Sequence, residues 1–134
     1  MPEAVTEHCG PPRDADVVLD VELERGLLFL ILENHGDLPA HNVRVRFGRP
    51  LHGLGGERRI DRLQLFRRLE FLGPRRRIRV FLDRSAQFFA RDQPTDFAAR
   101  VTWRTDDGKR GSREIRHDLA AYRDVPYLEV PRDG

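Results

Sequence analysis

Four side chains that could bind a metal ion lie close together in the sequence: Glu33, His35, Asp37 and His41. Imidazole and carboxylate groups are ordinary zinc ligands, but a site needs three or four of them to converge on one point. The segment between the two histidines is rich in turn-forming residues, and no paired-cysteine or H-E-x-x-H spacing accompanies them. We therefore expect solvated loop residues here, with no metal and no other cofactor.

Residues that could act as nucleophiles or as acid–base pairs also lack the partners that catalysis requires. Cys9 follows His8 in a segment with no third residue to orient the pair. Asp106 and Asp107 are adjacent carboxylates, but Gly108 follows them, and Asp-Gly is typical of a hairpin turn. We expect no catalytic residue, and the chain is predicted not to be an enzyme.

Arginine is the most distinctive residue type of the chain. Of 24 basic residues only Lys109 is a lysine, while 22 acidic residues leave a net charge of +2. A guanidinium group is always charged and forms paired hydrogen bonds with carboxylates and phosphates. The composition therefore fits either an ordinary solvated surface or recognition of anionic groups. The near balance of charges weighs against a nucleic-acid binder, which usually shows a basic excess.

Length and composition predict one self-sufficient domain. A chain of 134 residues buries enough surface for a core of its own. A single cysteine, Cys9, permits no intrachain disulfide, which fits a reducing compartment. The first residues do not resemble a signal peptide, and the longest apolar run, residues 27–32, is too short to span a bilayer. We expect a cytoplasmic protein without membrane insertion; the chain is either complete or part of a longer one.

Alternation of apolar and polar residues predicts short strands separated by turns. Residues 1–16 lack such a pattern and are predicted to be a disordered arm, followed by a domain over residues 17–130. The run at 27–32 is apolar on both faces, which favours a central strand. The predicted strands are residues 17–25, 27–32, 42–47, 69–72, 77–83, 97–104 and 112–119.

Three segments give weaker signals. Residues 48–62 are rich in glycine and arginine and are predicted to form a loop without a strand ladder, and they lack the Lys-Ser/Thr ending of a phosphate-binding loop. Residues 63–72 fit a short helix or a strand, of which we favour a strand at 69–72. Residues 85–95 are predicted to be a connection in which Phe88 and Phe89 close one end of the fold.

Two stretches resemble bacterial immunoglobulin-like domains of the CARDB and fibronectin-III kind. In residues 33–47, Asn34 and Gly36 occupy the turn after the second strand, and Ala40 opens the third. Asn34 is expected to bond the turn backbone, and Gly36 to supply a permissive dihedral angle. Residues 101–109 are similar to the hairpin between the last two strands of those domains. The resemblance implies a fold and carries no catalytic residues.

The seven strands and the resemblance predict an all-β fold, an immunoglobulin-like antiparallel β-sandwich of about seven strands. In such a sandwich the third, sixth and seventh strands are neighbours. Trp103 is then expected to point into the core against Leu30 or an apolar neighbour, and His117 to face the interior. Five arginines should point outward from these strands: Arg44, Arg46, Arg100, Arg104 and Arg116.

The function that these residues favour is a non-enzymatic accessory or protein-interaction domain. Its partner, a protein that the sequence does not identify, would dock on a sheet face or on loops. An acidic partner surface suits the five outward arginines. Arginine-mediated binding of nucleic acid is the alternative, and an enzyme of unidentified type is the third interpretation.

Overall fold

Two antiparallel sheets face each other across one apolar core in the computed structural model, which describes residues 13–123. The strands are β1 Val17–Glu24, β2 Leu27–Asn34, β3 Ala40–Phe47, the two-residue strands β4 His52–Gly53 and β5 Arg58–Arg59, β6 Leu69–Leu72, β7 Arg77–Arg84, β8 Asp96–Arg104 and β9 Arg110–Asp118. The first sheet has the strand order β1-β2-β7 and the second the order β6-β3-β8-β9. The predicted immunoglobulin-like sandwich of about seven strands is confirmed.

The topology also confirms which strands are neighbours. Strand β8 lies between β3 and β9, and β2 is the centre of the first sheet, as its two apolar faces indicated. Strand β6 pairs with β3 and not with β7. The fourth strand therefore belongs to the sheet of β3, β8 and β9, unlike in antibody constant domains, where it extends the opposite sheet.

The core is built from the alternate residues that the sequence predicts to point inward. Along β8, Phe97, Ala99, Val101 and Trp103 are buried, while the residues between them are not. On β3 the inward residues are Val43 and Val45, and on β1 they are Val17, Leu19 and Val21. The two sheets thus meet through the period-two pattern of a half-buried strand.

Asn34, the last residue of β2, joins the two sheets with its side-chain amide. It is fully buried, and its Nδ2 donates to the carbonyl oxygens of Leu38, Leu72 and Gly73 at 2.8, 3.2 and 3.3 Å. Its Oδ1 accepts from the backbone N–H groups of Asp16 and Gly36 at 3.1 and 2.9 Å. The predicted bond between Asn34 and the turn backbone is thus present, and it is one of five.

Gly36 serves this turn in a different way from the one predicted. Its φ is not positive, so no special dihedral is required. A Cβ at this position would instead lie 2.1 Å from the carbonyl oxygen of Asp14. Gly36 is needed because two backbone segments approach each other closely here.

Residues 13–16, assigned from sequence to a disordered arm, pack against the sandwich. Ala15 is buried, the carbonyl of Asp14 accepts from the N–H groups of Asp37 and Leu38, and Asp16 forms an ion pair of 2.6 Å with Arg113. The composition of residues 13–16 does not predict this packing, because the contacts are made mainly by the backbone. The rest of the predicted arm, and the predicted domain end at residue 130, lie outside the described residues.

The prediction that residues 48–62 form no ladder is wrong. Strands β4, His52–Gly53, and β5, Arg58–Arg59, pair as a short hairpin, followed by a 3-10 helix at Ile60–Arg62. Leu51 and Ile60 are buried in the core. Gly53 permits this packing, since a Cβ there would lie 2.1 Å from the carbonyl oxygen of Leu82. Local sequence patterns do not reveal this hairpin, because the contact between Gly53 and Leu82 joins segments that are about thirty residues apart in the sequence.

A buried ion pair fixes the same region to β7. Asp83 is almost fully buried, and its Oδ2 lies 2.7 Å from Nη1 of Arg91. Its Oδ1 accepts from the backbone N–H groups of Gly55 and Arg84. The guanidinium of Arg91 also donates to the carbonyl oxygen of His52 at 3.1 Å. The pair therefore connects β7 to the β4–β5 hairpin.

Short helices fill the two remaining connections. Helix α1, Gln64–Arg67, precedes β6, so residues 63–72 contain both the helix and the strand that the sequence permitted. Helix α2, Ser85–Ala90, occupies the predicted connection after β7. Phe66 and Phe88 are fully buried, and Phe89 packs partly buried against the core. A second 3-10 helix, Leu119–Tyr122, ends the described chain.

The hairpin between β8 and β9 forms at the predicted Asp-Gly turn, where Gly108 has a φ of +82°. Trp103 is 7% exposed and belongs to the core, as predicted. Its indole lies directly against Gly111 on β9: a Cβ on Gly111 would be 2.3 Å from Cε2 of the indole and 2.4 Å from Nε1. The strand pair is therefore shaped around the indole at a position that lacks a side chain.

Asn34→Ala should lower the free energy of unfolding by about 2–4 kcal/mol, because it leaves buried carbonyl and N–H groups without partners. Urea denaturation monitored by Trp103 fluorescence measures the change. Gln87→Ala, at an exposed helix position, is the control and should stay within about 0.5 kcal/mol. A loss below about 1 kcal/mol for Asn34→Ala would show that the five bonds do not hold the sheets together.

Gly111→Ala should destabilise the domain by about 1–3 kcal/mol, since the added methyl group must displace the buried indole. The indole fluorescence maximum should also shift to the red as Trp103 becomes more solvated. Ser112→Ala, one residue further and exposed, serves as the control in the same denaturation experiment. Equal stabilities of the two variants would contradict the packing of Trp103 on Gly111.

Asp61 should make stability depend on acid. Burial raises the pKa of this carboxyl, but hydrogen bonds from Arg59 and from the backbone N–H of Leu51 outweigh it, so the pKa lies below its ordinary value of 3.8. The ionised Asp61 carboxylate contributes fully to the free energy of unfolding when the pH is above 3.8, the pKa of the unfolded chain. This contribution is lost as the pH falls below 3.8 and through the lower pKa of the folded protein. Acid unfolding of Asp61→Asn should show a smaller loss of stability over this range than the parent. Parallel acid curves would contradict this assignment.

Candidate functional site

The outer face of the second sheet carries all five arginines that the sequence placed there. Each of them is exposed and lies on one of three adjacent strands. They are Arg44 and Arg46 on β3, Arg100 and Arg104 on β8, and Arg116 on β9. We call this set the arginine face. Sequence reasoning therefore located these side chains correctly, while their use in binding a partner remains a prediction.

Like charges are held opposite one another on this face. Arg46 pairs directly with Arg100 across β3 and β8, and side chains so placed have Cβ atoms about 5 Å apart. Arg100 has a distant ionic partner in Glu114, at 3.7 Å, on the neighbouring strand. Asp118, the last residue of β9, accepts hydrogen bonds from Thr95 and Ala120. Charge on the arginine face is therefore only partly neutralised.

Four of the five arginines have no ionic partner among residues 13–123. The guanidinium groups of Arg44, Arg46, Arg104 and Arg116 form no ion pair with another described residue, and only Arg100 has one. These positions follow in part from the sequence: β3 has no outward acid, and the outward acid of β8, Asp96, pairs with Arg49 at 3.4 Å.

On the first sheet, two outward arginines form ion pairs with glutamates. Arg77 on β7 donates to Glu22 on β1 at 2.7 Å, and this hydrogen bond raises the pKa of the guanidinium. Arg79 contacts both Glu22 and Glu24, and its guanidinium lies 3.6 Å from the centre of the Phe29 ring. Arg77 and Arg79 are thus neutralised, whereas Arg84, the last residue of β7, forms no ion pair with a described residue. What distinguishes the arginine face is that its arginines without an ionic partner among residues 13–123 lie together on three adjacent strands.

A groove of about 620 Å³ opens at the hairpin end of the arginine face. Cross-strand pairing builds it: Arg104 lies opposite Arg110, and Thr102 lies opposite both Arg44 and Ser112. Asn42 completes the polar lining, and Trp103 and Gly111 lie at its base. We call this feature the hairpin groove. It contains two of the five predicted arginines.

Arg110 is the groove residue that sequence reasoning missed. The sequence predicts that the last strand begins at residue 112, so Arg110 falls outside the predicted strand, whereas β9 begins at Arg110. It is exposed and, like Arg44 and Arg104, has no ionic partner among the described residues. Arg110 and Arg116 are an even number of residues apart, and residues separated by an even number along a strand share a face. The sequence would therefore have placed Arg110 on the arginine face if the predicted strand had begun there.

The acids nearest the hairpin are engaged elsewhere. Asp106 lies 2.5 Å from Nε2 of His41 on β3, which ties the turn to the neighbouring strand. Asp107 accepts from the hydroxyl of Thr105 and from the N–H of Lys109, and these bonds lower its pKa. Both carboxylates are thus used to fix the hairpin, and neither forms an ion pair with an arginine of the groove.

The four residues weighed as metal ligands do not converge. Glu33 contacts His35 at 3.3 Å, Asp37 pairs with Arg75 at 2.7 Å, and His41 contacts Asp106. The hydrogen bond and charge of Arg75 lower the pKa of Asp37. Within residues 13–123, no three histidine, cysteine, aspartate or glutamate side chains gather as a metal site.

His117 takes the structural role that its position on β9 indicated. It is half-buried, its Nε2 lies 2.8 Å from the carbonyl oxygen of Leu19, and its ring packs on Phe97. It thus links β9 to the edge strand of the opposite sheet.

Residues 12–123 match a protein family described as a domain of unknown function (DUF8453). The chain belongs to this family. The DUF8453 match covers both sheets, including every strand of the arginine face and the whole hairpin groove. None of the curated proteins matches the chain. Across the described part of the DUF8453 domain, no helix has the length and apolar character needed to cross a membrane.

Proposed function

We propose that this DUF8453 domain is a non-enzymatic interaction module whose arginine face docks an acidic surface of a partner protein. The observation that carries the proposal is the contrast between the two sheets. Arg77 and Arg79 of the first sheet are paired with glutamates of β1, whereas Arg44, Arg46, Arg104 and Arg116 have no ionic partner within residues 13–123.

Repulsion among these arginines would be relieved if the arginine face bound an anionic partner. Arg46 and Arg100 sit directly opposite each other, and like charges in this position destabilise a sheet modestly. Carboxylates on a partner would relieve the repulsion and form paired hydrogen bonds with the guanidinium groups. Such complementarity mainly speeds association and selects the partner.

Nucleic-acid binding is the second candidate because one exposed aromatic lies on the same sheet. Phe71 on β6 is 56% exposed and packs edge-on against His41. A base could stack on it while the arginines contact phosphates. The other exposed phenylalanine, Phe81, is on the first sheet beside Phe29. Among the described residues, the arginine face therefore has no row of exposed aromatic side chains on which successive bases could stack. We therefore favour a protein partner.

Two narrower interpretations stay proposals. Kinship with CARDB or fibronectin-III domains is supported by strand order and by the turn at Asn34. A cytoplasmic location and a bacterial source are supported only by the single cysteine and by that resemblance.

Reversing the charge of Arg46 and Arg100 together should abolish binding of the partner. The double variant, Arg46→Glu with Arg100→Glu, tests any protein recovered by affinity purification from the native host. Binding of the parent should weaken as salt rises, since exposed ionic contacts are screened. Surface plasmon resonance at several ionic strengths measures both effects.

The matched control reverses two exposed arginines away from the arginine face, Arg58→Glu with Arg84→Glu, and so gives the same net charge. It should retain affinity within about twofold. Thermal melts verify that both variants fold. Unchanged affinity of Arg46→Glu/Arg100→Glu, or equal losses in both variants, would remove the arginine face as the docking site. Salt-sensitive, sequence-independent binding of single-stranded nucleic acid by the parent would support the second candidate instead.

A further inference from the structure

Three arginines, and therefore three positive charges, line the hairpin groove. Arg104 and Arg110 are direct cross-strand neighbours, and Arg44 reaches the same groove from β3. Within residues 13–123 no carboxylate forms an ion pair with any of the three. A cluster of positive charges without a counterion among these described residues is suited to an anionic ligand.

Neutral hydrogen-bond donors surround the same space. The hydroxyl groups of Thr102 and Ser112 and the side-chain amide of Asn42 line the groove. Each guanidinium offers several N–H donors in a planar fork, and each hydroxyl offers one more. A carboxylate has two oxygens and one charge, so it would leave most of these donors without an acceptor. A phosphate monoester has three terminal oxygens and about two negative charges.

We infer that the hairpin groove binds a phosphate monoester carried on a serine or threonine of an extended protein segment. The inference rests on the proposed function, since the groove is part of the arginine face, and it names the group that is recognised. A free small molecule fits less well, because such ligands are usually enclosed over most of their surface. The hairpin groove is open, and the row of Arg46 and Arg100 continues from it across the sheet.

The backbone at the groove supports this use. Asn42 has a φ of +51° at a bulge, where the register of β3 against β8 shifts between His41 and Arg44. The bulge sets the start of β3 so that Arg44 stands opposite Thr102. Bulges next to binding sites commonly re-aim a side chain in this way.

A peptide series tests the inference. Three fluorescein-labelled peptides of identical glycine-rich sequence carry phosphoserine, glutamate or serine at the centre, and fluorescence anisotropy measures their binding in about 0.15 M salt. The phosphoserine peptide should bind the parent at least about tenfold more tightly than the glutamate peptide, because it accepts more charge-assisted hydrogen bonds. Its affinity should fall between about pH 7.5 and pH 5.5 as the monoester loses its second charge.

Two double variants with equal charge changes locate the site. Arg104→Gln with Arg110→Gln should weaken phosphoserine binding at least about tenfold. Arg46→Gln with Arg100→Gln, outside the groove, should weaken it less than about threefold, by long-range electrostatics alone. Thermal melts confirm that both variants fold, and neither variant needs the unidentified partner.

Three results would overturn the inference. Equal affinity for the glutamate and phosphoserine peptides would show that charge alone is recognised. Equal losses in the two variants would place binding on the face in general. Inorganic phosphate that binds as tightly as the phosphoserine peptide would show that the peptide chain contributes nothing. Because the acidic partner is tested separately through Arg46 and Arg100, partner binding that persists without phosphoserine binding would leave the proposed function intact.

Discussion

The buried amide of Asn34 is the constraint on which the arrangement of the two sheets depends. Its donors hold the carbonyl groups of Leu38, before β3, and of Leu72, at the end of β6, while its acceptor holds residues that enter β1. One side chain at the end of β2 therefore fixes the start of the second sheet relative to the first. The amide can do this because it offers donors and acceptors at once, and because burial makes an unpaired polar group costly. Asn34 thus holds the start of β3, and the bulge at Asn42 then sets the register in which Arg44 lies opposite Thr102 and Arg46 opposite Arg100.

Charge placement then divides the molecule into two unlike faces. On the first sheet, glutamates of β1 reach across β2 to the arginines of β7, and Arg79 stacks on Phe29. On the second sheet, β3 has no outward acid and Asp96 of β8 pairs with Arg49, so Arg46 and Arg100 face each other and, among the described residues, only Arg100 contacts an acid, Glu114. A surface ion pair stabilises a fold by at most about 1 kcal/mol, so either pattern is compatible with a stable core. The proposed docking of an anionic partner would give a use to the four arginines that have no ionic partner among residues 13–123.

Elements set by local alternation were predictable, and elements set by close approach of distant backbones were not. Period-two patterns gave the strands around Val43 and Val101, and the Asp-Gly turn gave the last hairpin. The β4–β5 hairpin escaped prediction because it depends on contact between Gly53 and Leu82, which no local pattern records. Residues 13–16 were missed for the same reason. At the site, the outward arginines followed from alternation, while Arg110 required knowing where β9 begins, and strand ends are the least certain part of any pattern.

The hairpin groove combines a rigid base with charged walls, and that combination determines what it can bind. Trp103 fills the space that the absent side chain of Gly111 leaves, so the base is packed like the core. The Asp106–His41 contact and the bonds of Asp107 hold the turn from both sides. Arg44, Arg104 and Arg110 therefore project from strands that binding need not reorganise, and the entropy lost on binding is mainly that of the guanidinium arms. Because Arg44, Arg104 and Arg110 line one groove and have no ionic partner among residues 13–123, the proposed phosphate monoester would supply there the negative charge that those residues do not provide.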